Sequence, residues 1–158
     1  VQVQAACAIA EVSRDNSETQ ASIARAGGIG PLLSMLPSRN WQAQCHAASA
    51  LYQLARFNRE NQDSMATMDA IPLLAILLTG DSTREVQSMA ALAIAEIARD
   101  NHPNQTAAAE LGVVASIVVL LKHSSSEAVK AESAGATWTL ADHHEGNKVS
   151  FAASGAIA

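Results

Sequence analysis

The chain resembles itself at a period of 42 to 43 residues, and this constrains its fold more than any single motif. Ile9, Leu51, Ile94 and Thr137 fall in one column; Val12, Leu54, Ile97 and Leu140 fall in another. Ser13, Ala55, Ala98 and Ala141 make a third, and Ile29, Ile71, Val114 and Ile157 a fourth. Two residues ahead of the fourth column stand Gly27, Asp69, Gly112 and Gly155. Polar columns keep step: Thr19, Asn61, Asn104 and Asn147, followed by Gln20, Gln62, Gln105 and Lys148. A single-residue difference in the loop between Leu36 and Ala43 accounts for the two spacings. Alanine supplies 33 of the 158 residues, so alanine matches weigh little and the Leu/Ile, Gly and Asn/Gln columns carry the alignment.

Inside each unit the apolar spacing is helical. Val86, Ala90, Ala93, Ile94, Ile97 and Ala98 line one face of a rod with 3.6 residues per turn. Three helices are expected per unit: a short one near 17–26, a second near 29–37 and a longer one near 41–56. Ser17 with Gln20 and Ser82 with Glu85 read as capping boxes, and Pro31 and Pro72 suit early helical positions. The glycine column falls between first and second helices, where a reversal favours positive φ, and Asp69 tolerates that conformation better than most residues. One such unit cannot bury its own stripe, so the units are expected to stack into a right-handed all-α solenoid sharing a continuous core. The expected boundaries are 1–16 (partial), 17–58, 59–101, 102–144 and 145–158 (partial), as in a fragment of a longer array.

Composition narrows the class further. Only 5 residues are aromatic, which disfavours β-sandwiches and barrels, and a charged fraction of 16% with recurrent apolar segments disfavours disorder. The longest uncharged apolar run, residues 111–121, is short of the ~20 residues that span a bilayer, so no membrane insertion is expected. A formal charge of −5 disfavours a nucleic-acid partner, which needs clustered Lys and Arg. Cys7 and Cys45 have no partner spacing and read as reduced thiols, which suggests a cytoplasmic or nuclear protein.

Segments such as AGGIGPLLSML, MDAIPLLAILL and ASGAIA, with long helices ending in IAEVS, LYQLA, IAEIA or TWTLA, resemble the armadillo-repeat family over essentially the whole chain. The resemblance implies that the third helices line a concave groove holding an extended peptide. It also implies which residues face that groove. Where nuclear-import receptors of the family carry a Trp, this chain has Cys7, Ser49, Leu92 and Gly135; where they carry an Asn, it has Glu11, Gln53, Glu96 and Thr139. Neither ladder is present, so a conventional import receptor is not implied.

Gln53 is suited to a peptide backbone, and Glu11 and Glu96 to Lys or Arg side chains. Arg14, Arg56, Arg99 and Asp142 follow one turn later, and Glu11 with Arg14 and Glu96 with Arg99 also read as exposed intrahelical pairs. Other clusters carry less. Asp142, His143, His144 and Glu145 read as a solvated loop rather than a zinc site, since adjacent residues point apart. His46, His102 and His123 form no cluster in sequence. Cys45 and His46, about 100° apart on a helix, do not make a nucleophile and base. Asn104, Gln105 and Thr106 spell a glycosylation acceptor that falls on a packed helix. Trp41 and Trp138 are expected in core or shoulder packing, the alternative being rim anchors for a partner.

No phosphate loop, paired carboxylates or nucleophile elbow appears, so neither catalysis nor a cofactor or metal is expected. The expected role is a protein-binding scaffold. The alternatives are a structural subunit of a larger assembly joined through its packing faces or repeat ends, and a substrate-recruiting arm of a ubiquitin ligase or cargo adaptor.

Overall fold

A computed structural model describes residues 1–78 and 82–156. Among them are eleven helices and no strand: α1 (Gln2–Ser13), α2 (Ser17–Arg25), α3 (Ile29–Met35), α4 (Trp41–Ala55), α5 (Arg59–Thr67), α6 (Ala70–Ile76), α7 (Arg84–Ile97), α8 (His102–Glu110), α9 (Val113–His123), α10 (Glu127–Ala141) and α11 (Glu145–Ala153). They form a right-handed α-solenoid. α2 to α4, α5 to α7 and α8 to α10 are three complete units, while α1 occupies the place of a third helix and α11 that of a first. Ile157, the last member of its apolar column, lies outside the described residues.

The third helices form the spine: α1 packs on α4, α4 on α7 and α7 on α10. Small side chains make the contact, with Ala47, Ala50, Ala90, Ala93 and Ala136 all at 0% exposure. Second helices close the core from one side through Leu32, Leu33, Leu74 and Ile117. No single described helix is long and apolar enough to cross a membrane.

Helix starts differ from the sequence expectation by one residue. α2 is capped by Asn16, whose Oδ1 accepts the Thr19 N–H at 3.0 Å, and Ser17 is the first residue inside the helix. Likewise Thr83, not Ser82, caps α7 through the Val86 N–H. The capping-box reading failed because Gln20 turns inward, donating to the carbonyls of Ser13 and Gln53 instead of reaching back to the cap. Asn16, Asn58, Asn101 and His144 form the true cap column of the first helices.

The turn column behaves as expected, with Gly27, Asp69, Gly112 and Gly155 at φ of 79°, 58°, 77° and 68°. A second left-handed column was not anticipated. Asp15, Phe57, Asp100 and His143 follow the third helices at φ between 52° and 54°.

The polar columns clasp the units together. Asn61 Nδ2 donates to the Leu54 carbonyl at 2.8 Å and to that of Gln20, one unit back, at 3.3 Å. Asn147 repeats this with Leu140 and Gln105, and Gln105 reaches the carbonyls of Thr139 and Asp142. These acceptors include the last-turn carbonyls of third helices, which have no partner inside their own helix. Asn61→Ala is therefore expected to strip two buried carbonyls of their donor and lower unfolding free energy by about 2 kcal/mol in urea denaturation. Thr19→Ala, at the same column position, is expected to change it by less than about 0.5 kcal/mol.

Candidate functional site

The candidate site lies on the face built from α1, α4, α7 and α10. A cleft of about 340 Å³ crosses all four helices and is lined by Cys7, Ala10, Glu11, Cys45, His46, Ser49, Glu85, Met89, Ser126, Ala128, Val129 and Glu132. It exists because small side chains on one face let the helices approach closely, while the polar residues between them stand clear. Three candidate residues, Cys7, Glu11 and Ser49, lie in its wall. Leu92, Gly135, Gln53, Glu96 and Thr139 belong to the same helices outside that wall.

The four rungs of the expected ladder differ in environment. Glu11 is exposed and pairs with Arg14 at 3.1 Å. Gln53 is buried, and its Oε1 has no hydrogen-bond partner among the described residues. Glu96 is 2% exposed, contrary to the expectation of an exposed pair. It receives two bonds from Arg99 at 2.9 and 2.8 Å and the backbone N–H of Phe57 at 3.1 Å. The hydrogen bond to Glu96 is the main cause that raises the Arg99 guanidinium further above its ordinary range. Arg99 also reaches Thr139 Oγ1 at 3.4 Å, so two rungs are joined within the protein.

Two further hollows lie along the ends of the third helices. Asp15, Ser17, Gln20, Arg56 and Phe57 line one of about 210 Å³, and Phe57, Arg59, Gln62, Arg99 and Asp100 line its equivalent one repeat on, of about 370 Å³. Phe57 is their shared wall. Its ring is 71% exposed and lies 5.3 Å from each of the Arg56 and Arg99 guanidinium carbons. Arg56 is in turn paired with Asp15 at 2.8 Å. Sequence reasoning missed Phe57; its signal was an aromatic residue in a column otherwise filled by Asp and His.

The cleft is acidic. Glu85 and Glu132 approach Cys45, and burial, followed by these two carboxylates, pushes its thiol above the ordinary range. Glu132 also accepts from Ser88 Oγ. Cys7 is exposed and Cys45 half-buried. His46 lines the same cleft, but a thiol held protonated is a poor nucleophile.

Other sequence readings are corrected here. Trp41 and Trp138 are not packed in the core: they are 51% and 65% exposed. His143 is exposed, but His144 is buried and its ring stacks on that of His102, with centroids 4.2 Å apart and planes inclined by 14°. Asp142 pairs with His143 at 3.6 Å and Glu145 with Lys148 at 2.7 Å. Asn104, of the glycosylation-like triplet, is half-buried and donates to the Ile97 carbonyl.

No family model and no curated protein matches this chain. Solved structures do. A designed armadillo repeat protein in complex with the peptide (KR)4 aligns over 97% of this chain and 63% of its own, with a TM-score of 0.84 and 25% identity. Computationally designed armadillo repeat proteins for modular peptide recognition align over 98% and 64%, at a TM-score of 0.83 and 28% identity. An armadillo repeats only protein from Plasmodium falciparum aligns over 87% and 60% at 0.73 and 19%, a likeness of fold alone. The chain spans less than two thirds of the length of each.

Arg99→Ala leaves the buried Glu96 carboxylate with only the Phe57 N–H. It is expected to lower stability by about 2 to 3 kcal/mol in denaturant titration, whereas Arg14→Ala, removing an exposed pair, is expected to cost under about 0.5 kcal/mol.

Proposed function

We propose that this chain, an armadillo-repeat solenoid, is a protein-binding scaffold that holds an extended segment of a partner across α1, α4, α7 and α10, with basic side chains of that segment over the acidic cleft. The cleft that crosses all four third helices carries the reading. Its wall presents the Glu11, Glu85 and Glu132 carboxylates. Carboxylates pair with Lys or Arg at the partner's surface. The designed neighbour that binds (KR)4 supports the same ligand class.

Charge assigns the roles differently from the sequence reading. Glu96 is already held by Arg99 and Phe57, so it supports the groove's architecture and the peptide-facing acids are Glu11, Glu85 and Glu132. Fluorescence titration with (KR)4 tests this. Glu85→Lys with Glu132→Lys is expected to weaken binding at least about tenfold while the circular dichroism spectrum stays unchanged. Undiminished binding by the folded double variant refutes the cleft as the site.

A further inference from the structure

We propose that His144 is a proton-operated latch between α8 and α11, releasing the last helix of the described array as pH falls. In three of the four equivalent positions the first helix is capped by an asparagine, Asn16, Asn58 or Asn101, whose amide does not titrate. At the fourth the cap is an imidazole.

The hydrogen bonds fix which tautomer the latch requires. His144 Nδ1 accepts the Asn147 N–H at 3.1 Å, so that nitrogen must carry a lone pair. Nε2 lies 3.0 Å from Thr106 Oγ1, and the Thr106 hydroxyl donates its own hydrogen to the His102 carbonyl. Nε2 therefore carries the proton and donates to Thr106. A second proton has only Nδ1 to occupy, where it meets the Asn147 N–H and destroys the cap. An asparagine cap suffers no such loss.

The surroundings add to this, and α9, which also packs on α11, ends in Lys122, whose Nζ donates to the Ser154 carbonyl, and His123, so it brings no carboxylate. On α8, the His102 ring stacked on His144 repels it when both are charged, and Glu110 is two turns away along the helix. Both imidazoles stand at helix N-termini, where the dipole disfavours a cation. On the segment after α10, Asp142 is engaged by His143; on α11, Glu145 is engaged by Lys148, which itself adds positive charge. Glu145 is thus already paired, whereas the Asp142 contact with His143 is an ion pair only when that ring is protonated.

The sign follows from proton binding. A second proton on His144 costs the folded chain its cap and costs the unfolded chain none, so this junction is fully stable where the ring is neutral and is weakened on acidification. The loss is local. With the cap gone, α11 loosens, and the bonds of Asn147 to Leu140 and Gln105 loosen with it.

Amide hydrogen exchange of the whole chain at pH 7.5 and 5.5, corrected for intrinsic rates, tests the latch. Protection over residues 147–151 is expected to drop about tenfold on acidification, while residues 61–65, behind an asparagine cap, stay within about twofold. His144→Asn is expected to abolish the difference, and His143→Ala, which removes an exposed ring, to retain it. Histidine 15N spectra of the unaltered protein provide a readout that needs no variant: at pH 7.5 His144 is expected as the Nε2–H form. An Nδ1–H form, or equal loss of protection in the wild type and His144→Asn, overturns the proposal.

Discussion

The solenoid depends on a clasp of side-chain amides at the open ends of its third helices. A helix leaves its last four carbonyls without internal partners, and here those carbonyls end at the junction between units, away from water. Leaving them bare costs more than any single packing contact at the junction recovers. Asn61, Gln62 and Asn147 supply donors from the first helix of the next unit, at 2.8 to 2.9 Å, and Gln105 supplies one from the first helix of the same unit at 3.0 Å. A hydrogen bond is directional where an alanine contact is not. The clasp therefore fixes the angle at which each unit meets the last, and apolar burial holds the units at that angle.

From that angle the face of the third helices follows. Alanine columns bring α4 and α7 together without interlocking bulk, so polar residues beside the columns are left facing a shared hollow. Their charges segregate across the width of the face. Glu85 and Glu132 lie towards the helix starts, while Arg14, Arg56 and Arg99 lie towards the ends, each tied to an acid of its own chain. Neutralised arginines do not compete for a basic ligand. Phe57 is the exception to this economy. A left-handed backbone in a bulky residue costs on the order of 1 kcal/mol or more, and its two guanidinium contacts return a similar amount.

The period, the helix pattern and the glycine turns were legible in the sequence because they are properties of one unit, repeated. Gly27 and Asp69 share a left-handed turn, and either one in isolation indicates it. What the sequence hid depends on two units at once. Glu96 and Arg99 read as an ordinary exposed pair until α10 and the Phe57 segment cover them. His102 and His144 lie at neighbouring cap positions of successive units, one residue out of register, and only the superhelical stacking lays their rings together. The same limit moved the caps: Gln20 matches a capping box locally, but its amide is claimed by the carbonyls of Ser13 in the preceding unit and Gln53 at the end of its own.

This difference between clasp and face decides which columns are free to change. A column that holds units together must keep one chemistry, and the Asn/Gln column does so from Asn61 to Asn147. The column on the third helices is under no such constraint, and its four members have diverged into an exposed acid at Glu11, a buried amide at Gln53, an internally paired acid at Glu96 and a hydroxyl at Thr139 contacted by Arg99. For the proposed extended ligand, unlike side chains along the third helices penalise a shift of register by one unit, so specificity would arise from divergence on a scaffold whose geometry is uniform.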